Sequence, residues 1–417
     1  MDAFASELQK SDRGASDSMD IISRVFLQAV AAGLEKNTIE DPGFSPEEWH
    51  MLMTLSHEQM LLPVVFEAVY TFMPEDIEKK YRAASLTLIS SQVRKSDTFL
   101  KLYRKLAEQR IEPLVFKGIV CRDSYMLPDW RVSSDEDIYI DQDHFMRFHA
   151  LMKEMGFQGT DPNFSSEHET IYRKGDMVVE GHWKLFPQEN RVLKQMNVFT
   201  DDILKRAVCL EIEGTRILSM EPTDHMIYLL LHAMKHLTLA GVGIRQICDI
   251  VQWDKKYDID WERIRTSMES LGGIRFTEAI LDAGSRYFGM RIPEGWTKTD
   301  ATDLIEDSLA GGVYGHSSQE RIHSASITAA NIVVHNMGYS LLKTVFPSRE
   351  VMEINYPWVR KNAALIPFGW GVRLFRYLTR IGKDNSPMQS FHIGRQRMRI
   401  LKEYEVFKAI TEKESNI

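Results

Sequence analysis

The sequence is poor in cysteine and has no long apolar run, and each absence argues against a class of protein. Its 417 residues include only three cysteines, Cys121, Cys209 and Cys248, which are widely spaced and form no C-x-x-C pair. This pattern supports neither a disulfide framework nor a zinc ribbon, and it fits a reducing cytoplasm. No apolar run reaches the ~18 residues that span a bilayer, and residues 1–20 are too polar for a signal peptide. We therefore expect a cytoplasmic protein with no membrane span.

No local signature of nucleophilic catalysis, internal repeat or low-complexity segment is evident either. Hydrophobic residues make up 44% of the chain and charged residues 26%, as is usual for globular proteins. A chain of this length exceeds one ordinary core, so several domains are expected. The composition therefore leaves an intracellular enzyme, a regulatory protein and a nucleic-acid-binding protein open.

The texture of the sequence changes twice, which predicts three regions. Residues 1–110 form a helical N-terminal region in which Ser45, Pro46 and Glu48 give the pattern of a helix N-cap with a capping box. Residues 111–220 have α/β character, with strands at about 112–116, 135–140, 168–173 and 177–183 and hairpin turns at 174–176 and 213–215. Residues 221–417 are again helical and end in a basic tail.

Two aspartates at the start of the second predicted strand are the most informative feature of the chain. Side chains alternate along a strand, so Asp135 and Asp137 face the same way and Glu136 faces the other. Adjacent carboxylates repel each other, and a divalent cation removes that cost. Mg²⁺ prefers oxygen ligands and is often held by one or two carboxylates together with substrate phosphates. The pair therefore indicates a magnesium site, although a solvated strand end would give the same pattern.

The dipeptide Lys117-Gly118 lies between the first predicted strand and a helical segment. A glycine at such a junction allows backbone N–H groups to approach a phosphate, and Lys117 would add a positive charge. Ordinary turn chemistry is the alternative.

A third carboxylate is available from Glu180, which shares a strand face with Val178 and His182. Three carboxylates on neighbouring strands can hold two Mg²⁺ ions for an in-line phosphoryl transfer. Glu180 could alternatively act as the general base on an acceptor hydroxyl. Asp176 and Glu169 compete for this third position, but Asp176 lies in a turn and Glu169 has no matching neighbour.

The helical region following residue 220 offers two pairs of side chains at helical spacing. His232 and His236 are four residues apart, as zinc ligands can be, but the Glu of H-E-x-x-H and a clear third ligand are missing. They could instead face a nucleotide pocket or be buried and hydrogen-bonded. Arg245 and Asp249 form a structural ion pair by default, and the alternative is that Arg245 reaches a phosphate. Earlier in the chain, Arg131 could brace a triphosphate or pair with a nearby carboxylate, Asp135 or Glu136.

Positive charge is concentrated near the C-terminus. Residues 356–402 contain ten Lys and Arg residues and one acidic residue, a local charge of +9 in a chain whose net charge is −8. Arg373, Arg376 and Arg380 share one face of a predicted helix. We expect this face to dock on the acidic body of the protein, and the alternative is a polyanion-binding surface.

The combination of these motifs resembles the uncharacterised nucleotidyltransferase family with a DNA-polymerase-beta-like catalytic core. The resemblance covers residues 80–385. It is carried by Phe116-Lys117-Gly118, Arg131, Ser134-Asp135-x-Asp137-Ile138-Tyr139-Ile140, Glu180-Gly181-His182-Trp183, Leu231-His232-Ala233-Met234-Lys235-His236, Arg245, Asp249, Phe346-Pro347-Ser348 and the Tyr356-Pro357 region.

The resemblance implies an α+β fold with a mixed sheet flanked by helical N- and C-terminal regions. It implies transfer of a nucleoside monophosphate from a nucleoside triphosphate, with Mg²⁺ or Mn²⁺ as cofactor. The acceptor, whether small molecule, peptide, protein or RNA, is not identified. The implied catalytic and metal-binding residues are Asp135, Asp137 and Glu180. The implied nucleotide- and substrate-binding residues are Lys117, Gly118, Arg131, Ser134, His182, His232, His236 and Arg245.

Two positions depart from the family pattern. Related enzymes often have serine where this chain has Ile119, and an apolar residue where it has Glu136. The alternative function is therefore a catalytically degenerate protein that binds nucleotide or a partner and regulates.

Overall fold

The computed structural model describes residues 19–165, 167–188, 191–200, 202–239, 241–312, 352, 365–372 and 397–406. The three arginines of the predicted basic face, Arg373, Arg376 and Arg380, lie outside these residues. The motifs at 346–348 and 356–357 also lie outside them.

Among the described residues, four α-helices precede the sheet: α1 (Ile21–Leu34), α2 (Pro46–Glu58), α3 (Leu62–Val69) and α4 (Glu75–Glu108). The predicted capping box at the start of α2 is confirmed. The backbone N–H of Glu48 donates to Ser45 Oγ over 3.3 Å, and the N–H of Ser45 donates to Glu48 Oε2 over 2.7 Å. Sequence periodicity did not identify α3, because this short helix is buried on nearly all sides and has no polar face.

Six strands form one mixed sheet, and all of them lie between residues 114 and 219. They are β1 (Leu114–Phe116), β2 (Glu136–Tyr139), β3 (Glu169–Lys174), β4 (Met177–His182), β5 (Val208–Ile212) and β6 (Thr215–Ser219). Their order is β3-β4-β2-β1-β6-β5, with β2 parallel to β4, β1 parallel to β6 and the other pairs antiparallel. Both predicted hairpins, β3–β4 and β5–β6, are confirmed.

The register of the central strands brings the predicted motifs to one end of the sheet. Phe116, the last residue of β1, pairs with Asp137 on β2, so Lys117 and Gly118 follow directly beside the aspartates. On the other side of β2, Asp137 pairs with Glu180 of the parallel strand β4. Because facing residues on neighbouring strands are close, these two carboxylates are adjacent.

In the described part of the chain, eight further α-helices lie between residues 118 and 311. Within the sheet region they are α5 (Gly118–Arg122), α6 (Gln142–Glu154) and α7 (Arg191–Gln195), and after it α8 (Pro222–Leu239), α9 (Ile244–Lys256), α10 (Trp261–Ser270), α11 (Ile274–Phe288) and α12 (Thr302–Gly311). The helical character expected after residue 220 is confirmed by α8 to α12 for the described residues up to 311. None of the helices in the described part of the chain is long and apolar enough to cross a membrane.

One continuous set of buried apolar side chains connects the three regions. It includes Phe26 of α1, Phe116 of β1 and Leu230 of α8, each with no measurable exposure. The limits of the sheet match the predicted boundaries at 110 and 220. The division into three domains itself stays a prediction.

Candidate active site

A cavity opens at the end of the sheet where β1 ends and β2 begins, and α8 and α9 form its opposite wall. Ten of the eleven predicted site residues line it. These are Lys117, Gly118, Arg131, Asp135, Asp137, Glu180, His182, His232, His236 and Arg245. The predicted residue Ser134 does not line the cavity, and its neighbour Ser133 does.

The three predicted carboxylates share this cavity. Asp135 directly precedes β2, Asp137 is 1% exposed on β2, and Glu180 is 21% exposed on β4. Oxygen atoms of Asp137 and Glu180 and a ring nitrogen of His182 lie within 4.8 Å of one another, close enough to share a cation. Strand register thus brings Asp137 and Glu180 together, and Asp135 lines the same cavity. The assignment of the three carboxylates as metal ligands stays a prediction.

The crowding of negative charge is visible in the acidities of these groups. Burial raises the pKa of Glu180 to about 7, and the charges of Asp137 and Asp135 add to that increase. Burial also opposes ionisation of Asp137, but Lys117 and His182 outweigh it and hold the pKa of that carboxyl below its usual range. Asp137 is therefore the ionised member of the group, and Glu180 is the member that most readily takes up a proton.

The ammonium group of Lys117 forms an ion pair with the carboxylate of Asp137. Its Nζ lies 3.0 Å from both Asp137 Oδ1 and Asp137 Oδ2. The backbone of Lys117 has φ 53° and ψ −132°, an uncommon conformation for a residue with a side chain. Its N–H donates to Nε2 of the buried His225 over 3.0 Å, which helps hold it there. The ammonium therefore neutralises Asp137 within the protein itself.

Gly118 and Glu136 are packed against each other beneath this junction. Gly118 has φ +29°, and a Cβ atom built on it would lie 2.0 Å from Glu136 Oε2, so a side chain cannot fit without movement. The N–H of Ile119 donates to the same Glu136 oxygen over 2.6 Å. Burial raises the pKa of Glu136 to about 7, opposed by this hydrogen bond. The Ile119 N–H, which we expected to be available to a phosphate, is thus bonded to a carboxylate from the opposite sheet face.

The interpretation of Arg131 requires a correction. The expected carboxylate partners, Asp135 and Glu136, are wrong, because Arg131 binds Asp249 of α9 with two hydrogen bonds, Nε to Oδ1 over 2.9 Å and Nη2 to Oδ2 over 2.7 Å. The alternative, contact with a phosphate, stays a prediction. The hydroxyl of Tyr125 donates to the same carboxylate over 2.7 Å. Arg245, the partner expected for Asp249, donates to the carbonyl of Val132, and its positive charge also helps to lower the pKa of Asp249. Spacing along the chain could not show this pairing, because 118 residues separate Arg131 from Asp249.

Glu169 is a cavity residue that the sequence argument ranked too low. It pairs with His182 across the β3–β4 hairpin, and its Oε2 lies 3.1 Å from His182 Nδ1. The signal was present, because a tight turn at Gly175-Asp176 sets Lys174 opposite Met177, and counting outward from that pair places Glu169 opposite His182. The statement that Glu169 has no matching neighbour was therefore wrong.

Helix α8 supplies the wall opposite the carboxylates. His232 and His236 both line the cavity, with ring centroids 4.4 Å apart, and Tyr228 OH lies 3.3 Å from His232 Nδ1. Burial lowers the pKa of His232 well below its usual value, and nearby positive charge adds to the decrease. Among the described residues, the side-chain groups that could hold a metal do not include either histidine, so the zinc alternative gains no support.

Lys235, also on α8, is a cavity residue that was not predicted as part of the site. Burial lowers the pKa of its ammonium group, and the positive charge of Lys117 lowers it further. No acceptor or carboxylate within the described part of the chain pairs with it, whereas Lys117 and Arg131 each have a carboxylate partner. The sequence could have indicated Lys235, because it directly precedes His236 on the helix that carries both predicted histidines.

A family model described as "Uncharacterised nucleotidyltransferase" matches residues 45–289, more than half of the chain. The chain belongs to this family. The protein is therefore a transferase enzyme of the nucleotidyltransferase class. A comparison of this nucleotidyltransferase with curated protein sequences gave no match.

Solved structures similar to this nucleotidyltransferase include two of ANT(2")-Ia and one protein from Paracoccidioides brasiliensis. The crystal structure of ANT(2")-Ia in complex with adenylyl-2"-tobramycin is 11% identical, with a TM-score of 0.30, covering 42% of this chain and 97% of its own. The antigenic nucleotidyltransferase-like protein from Paracoccidioides brasiliensis is 15% identical, with a TM-score of 0.30, covering 48% and 93%. The solution structure of ANT(2'')-Ia is 12% identical, with a TM-score of 0.28, covering 49% and 97%.

Proposed function

We propose that this enzyme transfers a nucleoside monophosphate from a nucleoside triphosphate to an acceptor, with Mg²⁺ or Mn²⁺ as cofactor. An acceptor oxygen forms a bond to the α-phosphorus, the bond from that phosphorus to the bridging oxygen breaks, and pyrophosphate leaves. The observation that carries the proposal is the placement of Asp137 beside Glu180 on parallel strands, in one cavity with Asp135.

The residues of this cavity fit a divalent cation. Asp137 Oδ2 is buried and accepts no well-aligned hydrogen bond from the described residues, although the Lys117 ammonium is 3.0 Å away. Burial is the main cause of the raised pKa of Glu180, and the charges of Asp137 and Asp135, which a cation would offset, raise it further. An all-oxygen set from Asp135, Asp137 and Glu180 is the donor type that Mg²⁺ and Mn²⁺ prefer. When bound, the metal would offset the negative charge of the triphosphate during transfer.

The cations that line the cavity supply the phosphate contacts in this proposal. Lys235 projects from α8 without a partner in the described structure, so it can bind a phosphate oxygen without breaking an existing ion pair. Lys117 can do the same once its contact with Asp137 opens. Arg131 is committed to Asp249 and acts by holding α9 against the Gly118 carbonyl, to which its Nη1 donates over 3.3 Å.

The helical wall has the complementary task of enclosing the substrate. His232, His236 and Arg245 face the carboxylates from α8 and α9. A wall of this kind excludes water, which strengthens every electrostatic contact within the site and limits hydrolysis of the triphosphate. In this proposal, residues 111–220 supply the chemistry and the helical region after 220 completes the nucleotide site. We place the reaction in the cytoplasm, in keeping with three cysteines that form no disulfide.

A second candidate function is favoured by the bond between Ile119 and Glu136. The Ile119 N–H is already bonded to Glu136, and the side chain of residue 119 carries no hydroxyl. The strand–helix junction therefore has fewer hydrogen-bond donors for a phosphate than the family pattern provides. A protein of this kind would bind nucleotide and regulate a partner without transferring the nucleotide.

Label transfer separates the two candidates. The purified protein is incubated with Mg²⁺ and each α-labelled triphosphate, with and without cell extract, and label on the acceptor and pyrophosphate are measured. We expect transfer by the wild type and none by Asp137→Asn. Asp176→Asn is the matched control, because Asp176 is exposed in the β3–β4 turn and competed for the third position from sequence. Tight nucleotide binding with no pyrophosphate from any triphosphate would favour the regulator.

A further inference from the structure

His182 presents its two ring nitrogens to two different carboxylates. Its Nε2 lies 3.2 Å from Asp137 Oδ1, and its Nδ1 lies 3.1 Å from Glu169 Oε2. The side chain is only 4% exposed, so water does not separate these groups. An imidazole nitrogen and a carboxylate oxygen are both metal ligands, so a cation placed between Nδ1 and Glu169 Oε2 would be held by both.

The face without a hydrogen bond is the one toward Glu169. Although Glu169 is close, Nδ1 of His182 makes no hydrogen bond of acceptable geometry to any described residue. A second histidine approaches the same oxygen, with His168 Nε2 lying 3.3 Å from Glu169 Oε2. One donor atom from each of these three side chains lies within 4.8 Å of the other two, as in a ligand set around one ion.

The β3–β4 hairpin determines this grouping. Cross-strand pairing sets Glu169 opposite His182, and the backbone N–H of Trp183 donates to the carbonyl of His168 over 3.0 Å. The three side chains are thus carried by a hydrogen-bonded ladder instead of a free loop, which limits the reorganisation needed to bind an ion.

We infer that His168, Glu169 and His182 form a second cation site, selective for a transition metal such as Zn²⁺. Two imidazole nitrogens and one carboxylate oxygen are a donor set suited to Zn²⁺, whereas Mg²⁺ prefers oxygen ligands alone. Such a set leaves a fourth position for water or substrate. The ion would use the lone pair of His182 Nδ1 and leave Nε2–H to donate to Asp137, which would orient that carboxylate.

The site adjoins the carboxylate site proposed for Mg²⁺ but does not depend on the proposed function. His182 and Glu169 line the cavity that holds Asp135 and Asp137, whereas His168 does not. The competing solution is a proton on Nδ1, which would make His182 an imidazolium between two carboxylates. The positive charge of the Lys235 ammonium lowers the pKa of both His168 and Glu169. The same charge disfavours both an imidazolium at His182 and a metal ion at this position.

Metal titration of the full-length, metal-depleted protein tests the inference. Co²⁺ is added as a spectroscopic substitute and the visible bands of a tetrahedral ion are followed, and Zn²⁺ affinity and stoichiometry are measured by calorimetry. We expect one site in the wild type, and a loss of affinity of at least about tenfold in His168→Ala, since removing even a supporting partner of a metal ligand has that effect. Circular dichroism checks that each variant is folded.

Two further variants locate the ion. His144→Ala is the matched control, because His144 is 67% exposed on α6 and belongs to neither group of side chains that could hold a metal among the described residues, and the variant should bind Zn²⁺ as the wild type does. Glu180→Gln should also retain the site. The inference is overturned if the wild type binds no Zn²⁺, if His168→Ala binds it unchanged, or if Glu180→Gln abolishes it. Zn²⁺ binding without any response to Mg²⁺ and triphosphate would instead refute only the proposed function.

Discussion

Replacing Lys117 with methionine should destabilise the protein without metal and make it more responsive to metal. The Lys117 ammonium lies 3.0 Å from Asp137, whose side chain is 1% exposed. Coulomb's law gives about 5 kcal/mol for such a pair at an effective dielectric constant of about 20. Removing one partner of a buried ion pair typically costs about 3–5 kcal/mol, since the remaining charge is left uncompensated. We therefore expect Lys117→Met to lower the free energy of unfolding by that amount in the presence of EDTA.

The expected change in melting temperature follows from the size of the protein. At about 2.1 cal/mol/K of unfolding entropy per residue, 3–5 kcal/mol over 417 residues corresponds to a decrease of roughly 3–6 °C. Mg²⁺ or Mn²⁺ should raise the melting temperature more in the variant than in the wild type, because the ion replaces the missing ammonium and binds only the native state.

The matched control is Lys101→Met. Lys101 pairs with Asp97 on the surface of α4, where both side chains are more than half exposed, and such pairs contribute at most about 1 kcal/mol. Thermal unfolding by circular dichroism, with and without metal, measures both variants. The reasoning is refuted if Lys117→Met is as stable as Lys101→Met in EDTA, or if metal shifts the wild type and Lys117→Met equally.

Three further predictions concern other cavity residues. Lys235→Met should weaken triphosphate binding at least about tenfold, measured by calorimetry, without lowering the melting temperature, because no described partner is lost; an unchanged affinity would remove Lys235 from the site. Arg131→Lys should lower the free energy of unfolding by about 2 kcal/mol in urea titrations, since lysine cannot make the two parallel bonds to Asp249, and equal stability would show that this pairing is unimportant. Burial lowers the pKa of His225 to about 3, so the folded state binds fewer protons than the unfolded state below the usual pKa of 6.5, and stability should fall as pH decreases from 6.5 toward 3 by at most about 1.4 kcal/mol per pH unit; His225→Gln should reduce this dependence.

Local patterns in the sequence were sufficient to predict the sheet and most of the cavity. Side chains alternate along β2, which places Asp137 and Glu136 on opposite faces of the sheet. This rule explains why Asp137 lines the cavity and why Glu136 is buried on the other face, where it bonds the Ile119 N–H. Helical spacing similarly placed His232 and His236 on one wall.

The contacts that could not be predicted connect residues far apart in the chain. The pairing of Arg131 with Asp249 depends on how α9 packs against the sheet, and nothing in either segment specifies that geometry. The packing of Glu136 under Gly118 is similar, because an acidic residue within a strand gives no indication of which backbone group it will meet. Glu169 differs from both, since hairpin register would have identified it.

A crystal structure with Mn²⁺ and a triphosphate that cannot be cleaved between its α- and β-phosphorus atoms is the most direct test of the proposed site. We expect Mn²⁺, located by its anomalous scattering, at about 2.1 Å from carboxylate oxygens of Asp135 and Asp137. The α-phosphate should lie beside that ion, and the remaining phosphates should extend toward Lys235. A nucleotide bound elsewhere, or bound in this cavity with the Lys117–Asp137 ion pair intact and no metal on the carboxylates, would contradict the proposal.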